Sequence, residues 1–135
     1  GAQQERALHL ALERSGIPSG RVGHVNAHAT STPVGDRVEA EVLARTMPGA
    51  AVSATKSLTG HLLGGAGGLE AVLTVMALNE EWLPPTLLPG GIDPEISRLG
   101  LDIVGPYGRR APGLTTAVST SFGFGGHNVV LVLSR

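Results

Sequence analysis

Ala51-Val52-Ser53-Ala54, then the polar turn Thr55-Lys56-Ser57-Leu58-Thr59-Gly60-His61, then Gly64-Gly65-Ala66-Gly67-Gly68, then Leu69-Glu70-Ala71-Val72-Leu73-Thr74-Val75-Met76-Ala77-Leu78: residues 51–78 carry the strongest architectural signal in the chain. The short apolar run closed by a polar turn reads as a buried strand. The glycines punctuate the chain, and the segment after them is apolar on nearly every side, as in a helix enclosed within a layered domain. A buried strand leading into an enclosed central helix points to an α/β architecture in layers.

The flanks extend that pattern. Residues 3–15 place Ala7, Leu8, Ala11 and Leu12 at helical spacing, and Ser15-Gly16 followed by Pro18 supplies the stop. Val22 to Ala27 is a β-branched run that ends where His28 begins, and after Pro33 helical spacing returns through Val38, Val42 and Leu43 as far as Thr46. Asn79-Glu80-Glu81 leads to Pro84-Pro85, which are expected to end the central helix, and a Pro/Gly-rich connection runs to about Asp93. Leu101 to Val104, Thr115 to Ser121 and Asn128 to Leu133 read as three strands. Residues 1–135 are expected to form one domain.

Composition narrows the function. Ten Lys and Arg against eleven Asp and Glu give a formal charge of -1. That balance provides no basic face for nucleic acid or an anionic membrane. No apolar stretch approaches the roughly 20 residues that span a bilayer, and Gly1 to Arg6 carries no signal-peptide pattern, so a soluble, cytoplasmic protein is expected. The absence of cysteine rules out disulfides, thiolate metal sites and a thiol nucleophile supplied by these residues. Lys56 is the one lysine, and Phe122 and Phe124 are the only phenylalanines.

These rare residues fall inside two of three motifs. His28-Ala29-Thr30-Ser31-Thr32-Pro33 sits between a strand and a helix, where ligands collect in open α/β folds; its hydroxyls can cap the helix or bind a ligand. Lys56 to His61, with Glu70 in the following helix, brings a lysine, a histidine and a glutamate near apolar walls. That is either a structural ion pair or a charge-compensated active-site cluster, and a phosphate loop is ruled out because Lys56 precedes the glycines. Ser121-Phe122-Gly123-Phe124-Gly125-Gly126-His127-Asn128 joins two strands. It is either a tight turn around a packed ring or a loop whose backbone N–H groups are aimed at a ligand oxygen.

In this order and spacing, Val25-Asn26-Ala27-His28-Ala29-Thr30-Ser31-Thr32-Pro33, Lys56 through Glu70 and Ser121 to Asn128 resemble the elongating β-ketoacyl-(acyl-carrier-protein) synthases of the thiolase superfamily. The resemblance covers essentially the whole chain. It implies the carboxyl-terminal half of a thiolase-like layered fold, a mixed sheet with a buried central helix, whose nucleophilic cysteine lies in an upstream half. The implied reaction is decarboxylative condensation of malonyl-carrier protein with an acyl thioester in fatty-acid elongation. It requires no cofactor and no metal.

The resemblance also implies roles. His28 and His61 donate hydrogen bonds to the malonyl thioester oxygen and stabilise the enolate, each donor worth about 3 kcal/mol. Lys56 and Glu70 hold the local electrostatics. The backbone N–H of Phe124, with that of the upstream cysteine, binds the acyl-transfer oxyanion, while its ring gates the acyl pocket. Thr30 and Thr32 hydrogen-bond the pantetheine arm, and Phe122 and Gly125 belong to the substrate-binding turn. The implied partners are acyl carrier protein with its phosphopantetheine-linked acyl and malonyl groups, the cysteine-bearing half, and a second copy in a homodimer. Ala29 stands where the family more often has glycine, Thr120 where asparagine and His127 where threonine are frequent. The His127 form resembles a branch that elongates very long acyl chains; no catalytic role is assigned to His127. Ser31 resembles the dissociated fatty-acid enzymes more than the modular polyketide ones. The competing readings are a polyketide ketosynthase half, a non-catalytic chain-length-factor-like subunit and a stand-alone malonyl-thioester decarboxylase. Retention of both histidines argues against the purely structural subunit.

Overall fold

The computed structural model describes all 135 residues. In chain order the elements are α1 (Ala2–Ser15), β1 (His24–Asn26), α2 (Pro33–Thr46), β2 (Ala51–Ser53), α3 (Lys56–Thr59), α4 (Ala66–Glu80), β3 (Trp82–Leu83), α5 (Pro94–Ser97), β4 (Asp102–Ile103), β5 (Arg109–Arg110), β6 (Thr116–Phe122) and β7 (Asn128–Ser134). Five strands form one sheet in the order β4-β2-β1-β6-β7. The first four are parallel, and β7 returns antiparallel to β6, so the sheet is mixed as expected.

Register sorts the side chains into two layers. His24 stands beside Ala51 and Ala117, Val25 beside Val52 and Val118, and Asn26 beside Ser53 and Ser119. Because successive strand side chains point to opposite faces, the valine row meets Leu8 and Leu12 of α1 and Val42 and Leu43 of α2. The alanines on the other face pack with Leu78 of α4, Leu83, Val104 and Leu114. Parallel strands also end at a common edge, where ligand sites form in such sheets. The segments after β1 and β2 emerge there, carrying His28 and Lys56.

Three expectations need amendment. The central helix lies where its composition places it, with Ala66, Glu70, Thr74, Ala77 and Leu78 buried, but Val72, Val75 and Met76 are exposed on its opposite side. Only one wall of the layer that its sequence anticipates is supplied by this chain. The helix ends at Glu80, four residues before Pro84, because Glu81 takes a left-handed conformation (φ 50°, ψ 43°) and its N–H bonds the Ala77 carbonyl. The residues after β2 are a short helix, α3, rather than an open turn. The small antiparallel pair β3–β5 has no signature in the sequence, since two-residue strands carry no readable period. Gly67 permits the first turn of α4 to approach β6 closely: a Cβ there would come 3.3 Å from Ser121 Oγ. No helix is long and apolar enough to cross a membrane.

Candidate active site

Three of the motif residues meet over the sheet edge. Lys56 and Glu70, both buried, form an ion pair through Lys56 Nζ and Glu70 Oε1. Lys56 Nζ also lies 3.4 Å from His28 Nδ1. An ammonium can only donate, so His28 Nδ1 accepts and the ring proton sits on Nε2. His61 reaches the same tautomer differently, its Nδ1 accepting the Leu63 backbone N–H at 3.2 Å. The two imidazoles stand edge to face with centroids 5.6 Å apart, and Phe122 lies 6.0 Å from His28 on another side. Burial, then the Lys56 charge and then His61, lower the His28 pKa from 6.5 to about 4. At neutral pH His28 is therefore an uncharged donor through Nε2.

The backbone of His28 is itself held. Glu39, fully enclosed on α2, accepts from His28 N–H (2.9 Å), Ala29 N–H (2.8 Å) and the Thr120 hydroxyl (2.7 Å). Burial pushes its carboxyl above the usual carboxylate range, and these donors pull it partly back. Asp36, one turn earlier, faces the N–H groups of Thr30, Ser31 and Thr32; burial raises its pKa and those groups oppose the rise. Glu39 thus holds two successive backbone N–H groups, with Asp36 beside it on the same helix face. In this segment the chain takes left-handed values at Ala29 (φ 29°) and Ser31 (φ 64°), which are uncommon in residues with a Cβ, and at Ala29 the N–H is held by Glu39. Below the histidine, Asn26 accepts from Thr55 Oγ1 (2.9 Å) and donates to the Glu70 carbonyl (3.4 Å), tying β1 to α3 and α4.

Sequence reasoning misses Glu39, Asp36 and Asn26 as site residues. Glu39 offers a signal, a carboxylate three and four residues before Val42 and Leu43 in the apolar stripe of α2. Asn26 offers one as the polar residue of a buried run.

Residues 1–88 match the family model described as the β-ketoacyl synthase C-terminal domain. The chain belongs to this family. It is 46% identical over 100% of its length to 3-oxoacyl-[acyl-carrier-protein] synthase 2 of Synechocystis, and 41% identical over 96% to the Vibrio cholerae protein of the same name, covering 32% of each. It spans about a third of the length of these curated relatives. Among solved structures it is similar to a β-ketoacyl synthase from Burkholderia phymatum (37% identity, TM-score 0.90, 99% of this chain and 32% of that one). It is also similar to a type II polyketide ketosynthase complexed with its acyl-carrier protein (27% identity, TM-score 0.89, 98% and 32%). These likenesses agree with the thiolase-like layered fold and with the reading as one part of a condensing enzyme.

In this β-ketoacyl synthase domain the histidines separate two clefts. One, of about 670 Å³, runs past His28, His61, Thr30, Thr32, Phe122 and Phe124. The other, of about 690 Å³, runs past Lys56, His61, Thr30, Ser57 and Leu87. Thr30 and Thr32 present hydroxyls 3.2 Å apart at the cleft wall. The turn after β6 places Phe124 at the cleft border, 96% exposed and in none of the aromatic contacts that join His28, His61 and Phe122. Gly125 (φ 70°) and Gly126 (φ 81°) make that turn possible. His127 is exposed at its end.

Proposed function

We propose that this domain supplies the malonyl-activating half of a 3-oxoacyl-(acyl-carrier-protein) synthase in fatty-acid elongation, an acyltransferase completed by a cysteine-bearing upstream half. The observation that carries the reading is the pair of imidazoles, His28 and His61, whose Nδ1 atoms are engaged by Lys56 and the Leu63 N–H so that both leave Nε2 to donate into one cleft. Hydrogen bonds from both to the malonyl thioester oxygen stabilise the enolate formed as the C–CO2 bond breaks and CO2 leaves. The enolate carbon then attacks the acyl thioester carbon on the upstream cysteine. A carbon–carbon bond forms, and the cysteine leaves as thiolate.

Lys56, held by Glu70, fixes the His28 tautomer and keeps the ring uncharged. Thr30 and Thr32 bind the pantetheine arm. The Phe124 N–H contributes to the acyl-transfer oxyanion hole, its ring gates the acyl pocket, and Phe122 and Gly125 shape that turn. The partners are acyl carrier protein, the upstream half and a second copy in a homodimer, in a cytoplasmic setting. Carrier-protein recognition is supported by the similar ketosynthase solved with its own acyl-carrier protein.

The test is the complete synthase with His28→Ala or His61→Ala. Malonyl-carrier-protein decarboxylation should fall by roughly two to three orders of magnitude, with acyl transfer to cysteine spared more. Equal loss of both half-reactions counts against these roles.

A further inference from the structure

The strap after β3 lies outside all three sequence motifs, yet it is bonded repeatedly to the segment that carries Lys56. Ser53 Oγ donates to the Pro84 carbonyl at 2.6 Å. The Ala54 N–H donates to Thr86 Oγ1 at 2.9 Å, and the Leu87 N–H donates to Ser57 Oγ at 2.8 Å. Residues 53, 54 and 57 are thus stapled to residues 84, 86 and 87, with Lys56 inside the stapled span. Thr86 is 2% exposed, and its own N–H is directed to the Val104 and Gly105 carbonyls at 3.3 and 3.4 Å. Its side chain therefore joins the Lys56 segment to the chain after β4. Leu87, Leu88 and Pro89 continue from it as one wall of the cleft that contains Lys56 and His61.

We infer that Thr86 is a positioning residue for Lys56: its hydroxyl fixes the Ala54 backbone and, through it, the reach of Lys56 Nζ to His28 Nδ1. The inference rests on the proposed function, because the consequence of a displaced Lys56 is read in malonyl decarboxylation. Without the Thr86 oxygen the Ala54 N–H loses its acceptor, and the start of α3 can shift relative to β1. A shift of less than an ångström separates a 3.4 Å contact from none. His28 is faced by Lys56 from α3, by His61 from the loop before α4, by Glu70 through Lys56, and by Glu39 at its backbone. Of these, Lys56 holds the imidazole proton on Nε2.

The experiment compares Thr86→Val and Thr86→Ser in the full-length synthase, beside His28→Ala and wild type, by steady-state decarboxylation of malonyl-carrier protein from about pH 3.5 to 9, a range that brackets the His28 pKa of about 4. Thr86→Val is expected to lower kcat about tenfold with KM nearly unchanged, and to move the acid limb of the profile to higher pH as His28 loses the Lys56 charge. Thr86→Ser, which restores the acceptor, is expected within about twofold of wild type in both respects. An unmoved acid limb in Thr86→Val at matched folded fraction, or an equal loss in Thr86→Ser, would overturn the inference. Retention of decarboxylation by His28→Ala would instead sink the functional reading on which it stands.

Discussion

Lys56 Nζ stands 3.4 Å from His28 Nδ1 while bonded to Glu70, so one cation both neutralises a buried carboxylate and sets a tautomer. The side chains of Lys56 and Glu70 are only 4% and 2% exposed. Glu70 Oε2 is buried without a hydrogen-bond partner, which leaves the carboxylate dependent on Lys56 for compensation. Replacing one member of such a pair strands the other charge. Lys56→Met should therefore destabilise the protein by about 3–5 kcal/mol, and Lys56→Met with Glu70→Leu should recover most of that loss. Urea unfolding midpoints decide it; a single variant as stable as wild type would contradict the buried pair.

Glu39 and Thr120 are the side-chain acceptors of the His28 N–H, and Glu39 alone serves the Ala29 N–H. Glu39→Gln keeps the shape but turns one oxygen into a donor, which opposes one N–H. A loss of about 1–3 kcal/mol is expected, with a drop in decarboxylation rate that exceeds any change in KM. Full activity in Glu39→Gln would show that the loop is positioned by other contacts.

Ala29 provides a test in the stabilising direction. At φ 29° its Cβ is unfavourable, and glycine carries no such penalty. Ala29→Gly should raise stability by about 0.5–1 kcal/mol after the entropy of the more flexible unfolded chain is set against it. Thermal melts measure this, and a fall in Tm would mean that the positive φ is not strained.

Acid sensitivity arises at His24, which the chemistry does not use. It is buried at the start of β1, where Nε2 bonds Ser53 Oγ at 2.9 Å and Nδ1 has no partner. Ser53 gives its own proton to Pro84, so His24 Nε2 is the donor. Burial, and then the charge of Arg109, lower its pKa from 6.5 to about 4. The unfolded state thus binds more protons between those values, and stability due to His24 is complete above 6.5 and lost as pH falls toward 4. His28 works in the same direction, whereas Glu39, raised by burial, opposes both. Comparison of wild type with His24→Gln isolates the one group. The variant's stability should rise less steeply over that window, by at most about 1.4 kcal/mol per pH unit. Parallel curves would place a charged His24 in the folded protein.

The order of the main elements is legible in the sequence because apolar spacing is a local property of the chain. Val38, Val42 and Leu43 mark α2, and the short apolar runs through Val25, Val52 and Val118 mark strands whose register the sheet then aligns. His28, Lys56, His61 and Glu70 are legible too as candidates, since a single lysine, histidines beside strand ends and a carboxylate in a largely apolar helix stand out without any fold. The worth of those residues to one another is a tertiary matter. The Lys56–His28 contact joins residues from the ends of two strands, and Glu39 and Thr120 reach His28 from α2 and β6. The open face of α4 and the hold of the Thr86 strap on the Lys56 segment likewise emerge only when the layers are assembled. Each of these depends on distances between segments far apart in sequence. Hydrogen bonds and ionic contacts lose their strength within an ångström or so of the ideal geometry, and no local pattern of residue types encodes that distance.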